Sequence, residues 1–334
     1  MGRLIIIGNG FDLHYLKGAT AYREFGEWLC GKFNLSLDNK NVLPFSKGID
    51  AYTGSFYLNT ICDFPKKLAN KIDDERNAFF AAMLVNMIQD LGDETWASFE
   101  NNLAKLPWKK YIKKANAFFG SKSLCGSPVS YGTDFITSSV STIYSLFSEW
   151  ASTIDSTPQV KNTFQNKIKA INKDDTVLIF NYTDTFERLF HLTSADSRVC
   201  HIHGGICCEK QIIVGHGYAS KSTGTNLNTV SDYIQEAKAA LYKNTEKIIN
   251  DEQDIWKQIE ANFSVGACNE IWAYGWNGKG VDEPYLKKII QIVRNSNKEC
   301  TLFLNCYRCD GFEKMRLWKK NGFPGKIFFF TDDE

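Results

Sequence analysis

The sequence predicts an α/β fold, Rossmann-like, with a mostly parallel sheet and large helical insertions. Short, continuous apolar runs recur along the chain, as buried parallel strands do. The first run, residues 4–7, ends at two glycines one residue apart, as a strand does when it turns tightly into a helix. About 165 residues then separate it from the next run, and they carry apolar residues at helical spacing.

The strand-like runs and the helical stretches between them set the expected domain boundaries. The runs after the first span residues 176–180, 198–203, 211–214, 270–274, 301–305 and 326–330. We expect residues 1–18 and 174–334 to form one Rossmann-like core, and residues 19–173 to form a mostly helical insertion. The amphipathic stretch 228–264 is expected to cover the sheet as a helical lid within the core.

The composition of the 334-residue chain disfavours several classes of protein. With 43% hydrophobic residues it can bury a sizeable core, so a disordered chain is not expected. The 39 basic and 38 acidic residues balance, so nucleic acid is not indicated as a partner, nor is a membrane surface. No apolar run approaches the roughly 20 residues that span a bilayer, and we see no secretion signal. We therefore expect a cytoplasmic protein whose ten cysteines are reduced.

The turn after the first strand suggests a phosphate site. Gly8 and Gly10 lack a Cβ, so backbone N–H groups can approach an anion there, although a tight turn without a ligand also explains them. A dehydrogenase would need a third small residue at position 13, which is Leu13, so a hydride-transfer enzyme is disfavoured. Asp12 would repel a phosphate, so we expect it to cap the helix or to bind a ribose hydroxyl.

Polar residues follow two further strands, where α/β sheets place their ligands. Asn181 comes directly after the run 176–180, although an asparagine there also commonly caps the next helix or makes an Asx turn. Glu187, in the same segment, is either functional or a solvated acid in the first turn of that helix. His201 and His203 share one face at the end of the next strand, before two glycines. We favour His203 as the functional residue; a hydrogen-bonded core histidine is the alternative.

Cysteines near these histidines require a zinc site to be considered. Cys207 and Cys208 follow the histidine pair, and His216 comes after them. Their spacing is not the paired spacing of a zinc finger, and the Cys306-x-x-Cys309 motif has no second pair. We therefore predict no metal site.

A glycine-rich loop, residues 275–282, follows the run 270–274 and is another candidate ligand-binding segment. Asp282 is expected to be the N-cap of the next helix, with Pro284 in its first turn. Trp276 either stacks on a purine or packs in the core.

These segments, in this order, resemble the abortive-infection AbiH family of bacterial antiphage proteins, which is in turn similar to sirtuin-like NAD-consuming domains. The resemblance covers nearly the whole chain. Its most specific pieces are IIIGNGFDLHYLKGATAYREF (5–25), TWASFENNL (95–103), FNYTDTFE (180–187), HIHG (201–204) and YGWNGKGVDEPYL (274–286).

The resemblance implies a sirtuin-like fold that binds NAD at the carboxyl ends of its strands, with Asn181 and His203 acting at the nicotinamide ribose. The nucleotide-binding residues that it implies are Gly8, Asn9, Gly10, Phe11, Asp12, Thr183, Asp184, His201, Gly204, Gly275, Trp276, Asn277 and Asp282. The chain departs from the pattern twice. Thr183 stands where sirtuin-like domains have Asp, which affects contacts to nicotinamide. Trp276-Asn277 stands where related chains often carry His-Ser, which affects contacts to adenosine.

The activity expected from the resemblance is that of a latent NAD glycohydrolase, with NAD as substrate and no prosthetic group. Nicotinamide leaves as a neutral molecule through an oxocarbenium-like transition state, so Asn181 would only need to orient water while His203 acts as base. Because unregulated hydrolysis would kill the host, we expect a phage-derived activator, a homo-oligomer or a partner defence protein to control it. The alternatives are an enzyme acting on another nucleotide or a nucleic acid end, and a non-enzymatic nucleotide-binding sensor or partner module.

Overall fold

The chain forms a six-stranded, all-parallel sheet in the order β3-β2-β1-β4-β5-β6. The computed structural model describes residues 2–41, 69–92, 99–111, 140, 142–160, 163–193, 195–218, 230–307 and 310–331. The strands are β1 (Gly2–Ile7), β2 (Thr176–Ile179), β3 (Val199–His201), β4 (Cys268–Tyr274), β5 (Thr301–Asn305) and β6 (Lys326–Phe330). β2 and β3 lie on one side of β1, and β4, β5 and β6 lie on the other. This is the strand order of a Rossmann fold. The predicted α/β, Rossmann-like class is confirmed.

One predicted strand, residues 211–214, is wrong, because this segment is an irregular loop. Ile212 and Val214 are buried there, and the N–H of Ile213 donates to the carbonyl of His203 at 2.8 Å. These apolar residues therefore pack in the core from a loop and not from a strand. A four-residue apolar run is too short for its pattern to distinguish a strand from such a loop.

Helices connect the strands and make up the long excursions between them. They are α1 (Asn9–Tyr15), α2 (Tyr22–Phe33), α3 (Ala69–Leu91), α4 (Phe99–Leu103), α5 (Thr142–Ser152), α6 (Thr163–Ile168), α7 (Thr185–Phe190), α8 (Val230–Ala240), α9 (Thr245–Asp251), α10 (Gln253–Ser264), α11 (Glu283–Ser296) and α12 (Gly311–Lys320). Parts of the predicted insertion, including residues 42–68 and 112–139, lie outside the described residues. Within the described ranges, no helix is both long and apolar enough to cross a bilayer.

Two compact units divide the chain. The first comprises Met1–Ala21, Ala151–Gly217 and Lys243–Glu334, and it contains the whole sheet. The second comprises Tyr22–Trp150 and Tyr218–Tyr242, and its described elements are helices. The segment predicted as a lid is divided between them, since α8 belongs to the second unit and α9 and α10 to the first.

The central strands β1 and β2 are buried on both faces of the sheet, which explains why they are continuous apolar runs in the sequence. Leu4 and Ile6 of β1 belong to the core on one face, which includes residues of α10 and α11. Ile5 and Ile7 belong to the core on the other face, which includes residues of α1, α6 and α7. β1 is therefore the centre of the first unit, and its carboxyl end opens onto the candidate site.

Candidate functional site

The glycines of the β1–α1 turn bring two loops into direct backbone contact. The N–H of Gly8 donates to the carbonyl of Tyr274 at 2.9 Å, and that of Gly10 donates to Gly275 at 3.0 Å. A Cβ on Gly8 would lie 2.6 Å from Trp276 Cα, and one on Gly10 would lie 2.7 Å from Gly275 Cα. In this structure these two N–H groups therefore hold the β4 loop, whereas the sequence predicted that they would hold a phosphate.

Asp12 lies inside α1, buried, and does not cap the helix. Gly8 is the N-cap residue, so the expected capping role is wrong. The carboxylate Oδ2 of Asp12 accepts a hydrogen bond from the hydroxyl of Thr183 at 2.6 Å, and Thr183 lies 2.8 Å from Thr185 Oγ1. Burial raises the pKa of Asp12 to about 6, although the hydrogen bond from Thr183 opposes this rise. The second oxygen, Oδ1, is buried and has no hydrogen-bond partner among the described residues.

Asn181 presents an unpartnered amide at the end of β2. Its side chain is 3% exposed, and neither Oδ1 nor Nδ2 has a hydrogen-bond partner in the described part of the chain. It does not cap α7, whose N-cap residue is Asp184. The amide is also close enough to Asp12 to favour its charged form. Because a buried polar group without a partner is costly, this amide is a strong candidate for contacting a ligand.

Glu187, His201 and Cys207 form a second polar cluster at this edge. Nε2 of His201 lies 2.6 Å from Oε1 of Glu187 and 3.3 Å from Sγ of Cys207. Glu187 is buried, so the alternative of a solvated acid is wrong. Burial alone would lower the pKa of His201, but the hydrogen bond and charge of Glu187 outweigh it and raise that pKa. A hydrogen bond between the adjacent thiols lowers the pKa of Cys208 to about 6 and raises that of Cys207.

His203, the predicted base, is a core residue with both ring nitrogens engaged. Nδ1 lies 3.1 Å from the amine of Lys243, and Nε2 lies 3.3 Å from the hydroxyl of Tyr285. Burial and the charge of Lys243 hold the pKa of His203 well below its ordinary value. Since the amine donates to Nδ1, we assign the ring proton to Nε2, and no lone pair remains to take a proton from water. Nothing in the sequence pattern had indicated Lys243.

The β4 loop packs into the core through Trp276. The indole is 2% exposed and lies 5.0 Å from the ring of Phe180. Its Nε1 donates to Oδ2 of Asp282 at 3.0 Å. Asp282 is the N-cap residue of α11, as expected, although its carboxylate makes no capping hydrogen bond. Of the two interpretations of Trp276, the structure shows the packed one.

The remaining predicted site residues are spread over the same edge. Phe11 packs against Tyr274 in the core, with ring centroids 5.1 Å apart, and the Asn9 amide donates to the carbonyl of Thr20. Asp184 forms an ion pair with Arg188 at 2.9 Å. The others are Gly204, which has a φ of +71°, and Asn277, which is exposed.

Of the predicted residues, the structure brings Asp12, Asn181 and Thr183 together as one buried polar group. Two surface hollows in the described part of the chain lie elsewhere: one at the amino ends of β5 and β6, lined by residues such as Lys326, and one along α11, lined by residues such as Arg294. Thr185 was not among the predicted site residues, although it lies in the segment 180–187 and its hydroxyl contacts that of Thr183.

Comparison with known proteins gives one family. The model of a family described as Bacteriophage abortive infection AbiH matches residues 4–304, a span that includes all of the polar groups above. No curated protein and no solved structure matches the chain.

Proposed function

Since the chain belongs to the AbiH family of bacteriophage abortive-infection proteins, and so to antiphage defence, we propose that it is a latent NAD glycohydrolase. In this proposal the protein cleaves the nicotinamide–ribose bond and so depletes NAD in an infected cell. The observation that supports it most is that a protonatable, buried carboxyl group, Asp12, lies beside the amide of Asn181, for whose polar atoms the described residues offer no hydrogen bond of good geometry.

The chemistry requires few groups. As the bond between C1′ of the ribose and the pyridinium nitrogen breaks, its electron pair goes to the nitrogen and nicotinamide leaves neutral. A water molecule then forms the new C–O bond, and Asp12 takes its proton. A carboxyl group whose pKa is about 6 is ionised near neutral pH and is well matched to this task. Asn181 would hold the water or a ribose hydroxyl, while Thr183 keeps Asp12 in place.

Burial of this pair fits a latent enzyme. Asp12 is 2% exposed and Asn181 is 3% exposed, so a substrate can reach them only after a local opening. We propose that a phage-derived factor, or assembly with a second copy or a partner protein, provides that opening. This places control in a conformational step before the chemistry.

The test is to incubate the purified chain with NAD, alone and with lysate of phage-infected cells, and to measure nicotinamide and ADP-ribose. Asp12→Asn and Asn181→Ala should each lower turnover at least about 100-fold, the usual minimum for losing a positioned acid or base. The matched controls are Asp254→Asn and Asn295→Ala, which change the same residue types at exposed positions. Absence of turnover in both conditions, or full activity in both site variants, would contradict the proposal.

The same burial also favours a second candidate, a nucleotide-binding sensor that does not cleave its ligand. The near-complete enclosure of Asn181 leaves little access for the attacking water. A sensor would show NAD-dependent thermal stabilisation that Asn181→Ala abolishes, with all of the NAD recovered intact. Repeating the assay with other nucleotides and with nucleic acid ends tests the alternative substrates.

A further inference from the structure

A cluster of three side chains, Glu187, His201 and Cys207, is not used by the proposed hydrolysis, and we propose that it binds a zinc ion. Their ligand atoms, Oε1, Nε2 and Sγ, all lie within 4.8 Å of one another. The three separations are 2.6 Å from His201 to Glu187, 3.3 Å from Cys207 to His201 and 3.8 Å from Cys207 to Glu187. Imidazole, thiolate and carboxylate are the three ligand types that zinc prefers in proteins.

The distances suit a tetrahedral ion after one small adjustment. With ordinary Zn–N, Zn–S and Zn–O bonds, neighbouring ligand atoms lie about 3.4–3.6 Å apart. The two separations that involve sulfur are within about 0.3 Å of that range, whereas the imidazole and the carboxylate must move apart by about 0.8 Å. The ion would take the place of the hydrogen bond between them.

The hydrogen bonds around the cluster orient its ligands. Nδ1 of His201 lies 3.2 Å from the backbone carbonyl of Asn181, and when Nδ1–H donates there, Nε2 keeps its lone pair for the cluster. A backbone carbonyl in this position is a common outer partner of metal-binding histidines. The carboxylate oxygen Oε2 of Glu187 is buried without a partner among the described residues, so it remains available to the ion or to a water bound to it.

The loop after β3 returns Cys207 to His201. Gly204 has a φ of +71°, a conformation that favours glycine, and it starts the return. A Cβ on Gly205 would lie 3.1 Å from both His201 Nδ1 and the carbonyl of Tyr182, so a larger residue would push the loop away. The N–H of Ile206 then donates to that same carbonyl at 2.8 Å. Because His201 also contacts the backbone of Asn181, an ion here would hold the Asn181 segment in place.

A buried ion pair between protonated His201 and Glu187 would also explain the 2.6 Å distance between Nε2 and Oε1. It accounts for the thiol of Cys207 as a donor to Glu187, but it leaves Oε2 of Glu187 buried with no partner among the described residues. Cys208 is not needed as a ligand, because its Sγ lies 3.6 Å and 3.8 Å from the carbonyls of Gly205 and Lys210. We therefore assign three protein ligands and a water molecule in the fourth position, as in zinc sites that keep one position open.

The experiment uses the untagged, full-length protein, purified without chelator, and measures its zinc content by elemental mass spectrometry. The metal-free protein is then titrated with Zn²⁺ against a chromophoric chelator, and with Co²⁺ to detect thiolate-to-metal charge transfer. The variants are Cys207→Ser, His201→Gln and Cys208→Ser. Cys200→Ser is the matched control, because Cys200 lies on the same strand as His201 but its thiol faces Glu252. Circular dichroism reports the folding of each variant.

We expect one zinc ion per chain, with affinity lowered at least about tenfold in Cys207→Ser, since even changes to outer partners cost that much. The cobalt charge-transfer band should disappear in that variant, while Cys200→Ser and Cys208→Ser bind as the wild type does. If His201→Gln does not fold, Cys207→Ser alone decides. A folded wild-type chain that binds no zinc, a Cys207→Ser variant with unchanged affinity, or equal loss in Cys208→Ser would overturn the assignment. None of these results depends on NAD turnover.

Discussion

Asp12 and His203 are both buried, yet their surroundings prepare them for different chemistry. Thr183 donates to one oxygen of Asp12, the other oxygen has no partner among the described residues, and the pKa of this carboxyl is raised to about 6. Lys243 and Tyr285 occupy both nitrogens of His203. At the residue scale we therefore assign the proposed role of base to Asp12 and a structural role to His203.

The free energy of unfolding of Asp12→Asn should rise relative to that of the wild type as the pH increases from about 4 to 7. The pKa of Asp12 rises from 3.8 in the unfolded chain to about 6 in the folded one, so the folded state retains a proton longer. Wild-type stability therefore falls as the pH rises through this window and stays lower above it. About two pKa units correspond to about 3 kcal/mol, which is how much the stability of Asp12→Asn relative to the wild type should change from below this window to above it.

Urea unfolding of both proteins at pH 4 and pH 7 measures this difference. Thr183, Asn181, Thr185 and His201, which all act on Asp12, are present in both proteins, so the difference reports the titration of Asp12 in its native surroundings. Asp254→Asn, at a fully exposed position, should follow the wild type at both pH values. If Asp12→Asn and the wild type showed parallel pH dependence, the raised pKa would be refuted.

At the scale of elements, β1 and β4 are joined beyond their ends by their loops. The strands pair from Arg3–Glu270 to Ile7–Tyr274, and the hydrogen bonds of Gly8 and Gly10 continue this pairing into the β4 loop. The two loops approach so closely that neither glycine has room for a Cβ. This contact fixes the start of α1, and with it the position of Asp12.

Gly10→Ala should lower the free energy of unfolding by about 1–3 kcal/mol, the usual range for overpacking. The new methyl group would lie 2.7 Å from a backbone atom, Gly275 Cα, which cannot rotate away as a side chain can. The matched control is Gly31→Ala in α2, where a Cβ meets nothing within 4 Å and a gain of about 0.5–1 kcal/mol is expected. Urea unfolding followed by circular dichroism measures both, and equal effects would refute the close approach.

Much of the sheet could be predicted because parallel strands buried on both faces leave a clear trace in the sequence. Runs such as residues 176–180 and 301–305 match β2 and β5 within one residue. The run 211–214 is equally apolar, but it forms a buried loop. Only the contacts in the folded structure distinguish this loop from a strand. Sequence spacing alone therefore identifies most strands and overestimates their number.

Only those parts of the candidate site that follow directly from the end of a strand could be predicted from the sequence. Asn181 follows β2 directly, so its place at the carboxyl edge was foreseeable from the strand alone. The neighbours of a side chain were not: Lys243 contacts His203 from 40 residues away, with no local motif to indicate it. The pattern of Trp276 allowed both stacking on a ligand and core packing, and only the three-dimensional structure distinguished them.

At the scale of the whole molecule, the sheet joins segments that are far apart in the sequence. Arg3 in β1 donates its backbone N–H, at 2.8 Å, and its guanidinium, at 2.6 Å, to the carboxylate of Asp175, 172 residues later. The same carboxylate accepts from the N–H of Asn172 at 2.7 Å. This fully buried side chain holds the amino ends of β1 and β2 together across the entire first excursion of the chain.

Asp175→Ala should lower the free energy of unfolding by about 3–5 kcal/mol, because it removes the buried carboxylate that accepts from the Arg3 guanidinium and from two backbone N–H groups. Glu27→Ala is the matched control. Glu27 pairs with Arg23 in α2, but both side chains are about half exposed, so its loss should cost less than about 1 kcal/mol. Thermal or urea unfolding measures both changes. A cost for Asp175→Ala as small as that of the control would show that the buried pair does not stabilise the sheet.

The central position of β1 has a consequence for how each copy of the protein is made. β1 is synthesised before its neighbours β2 and β4, which begin only at Thr176 and Cys268. At about 5–20 residues per second, roughly 8–34 s pass before β2 is synthesised and roughly 13–52 s before β4 is. During that time a strand with four consecutive apolar residues has no partner on either side, a state that invites association between nascent chains. That segment is therefore open to association in every round of synthesis until β2 and β4 have been made.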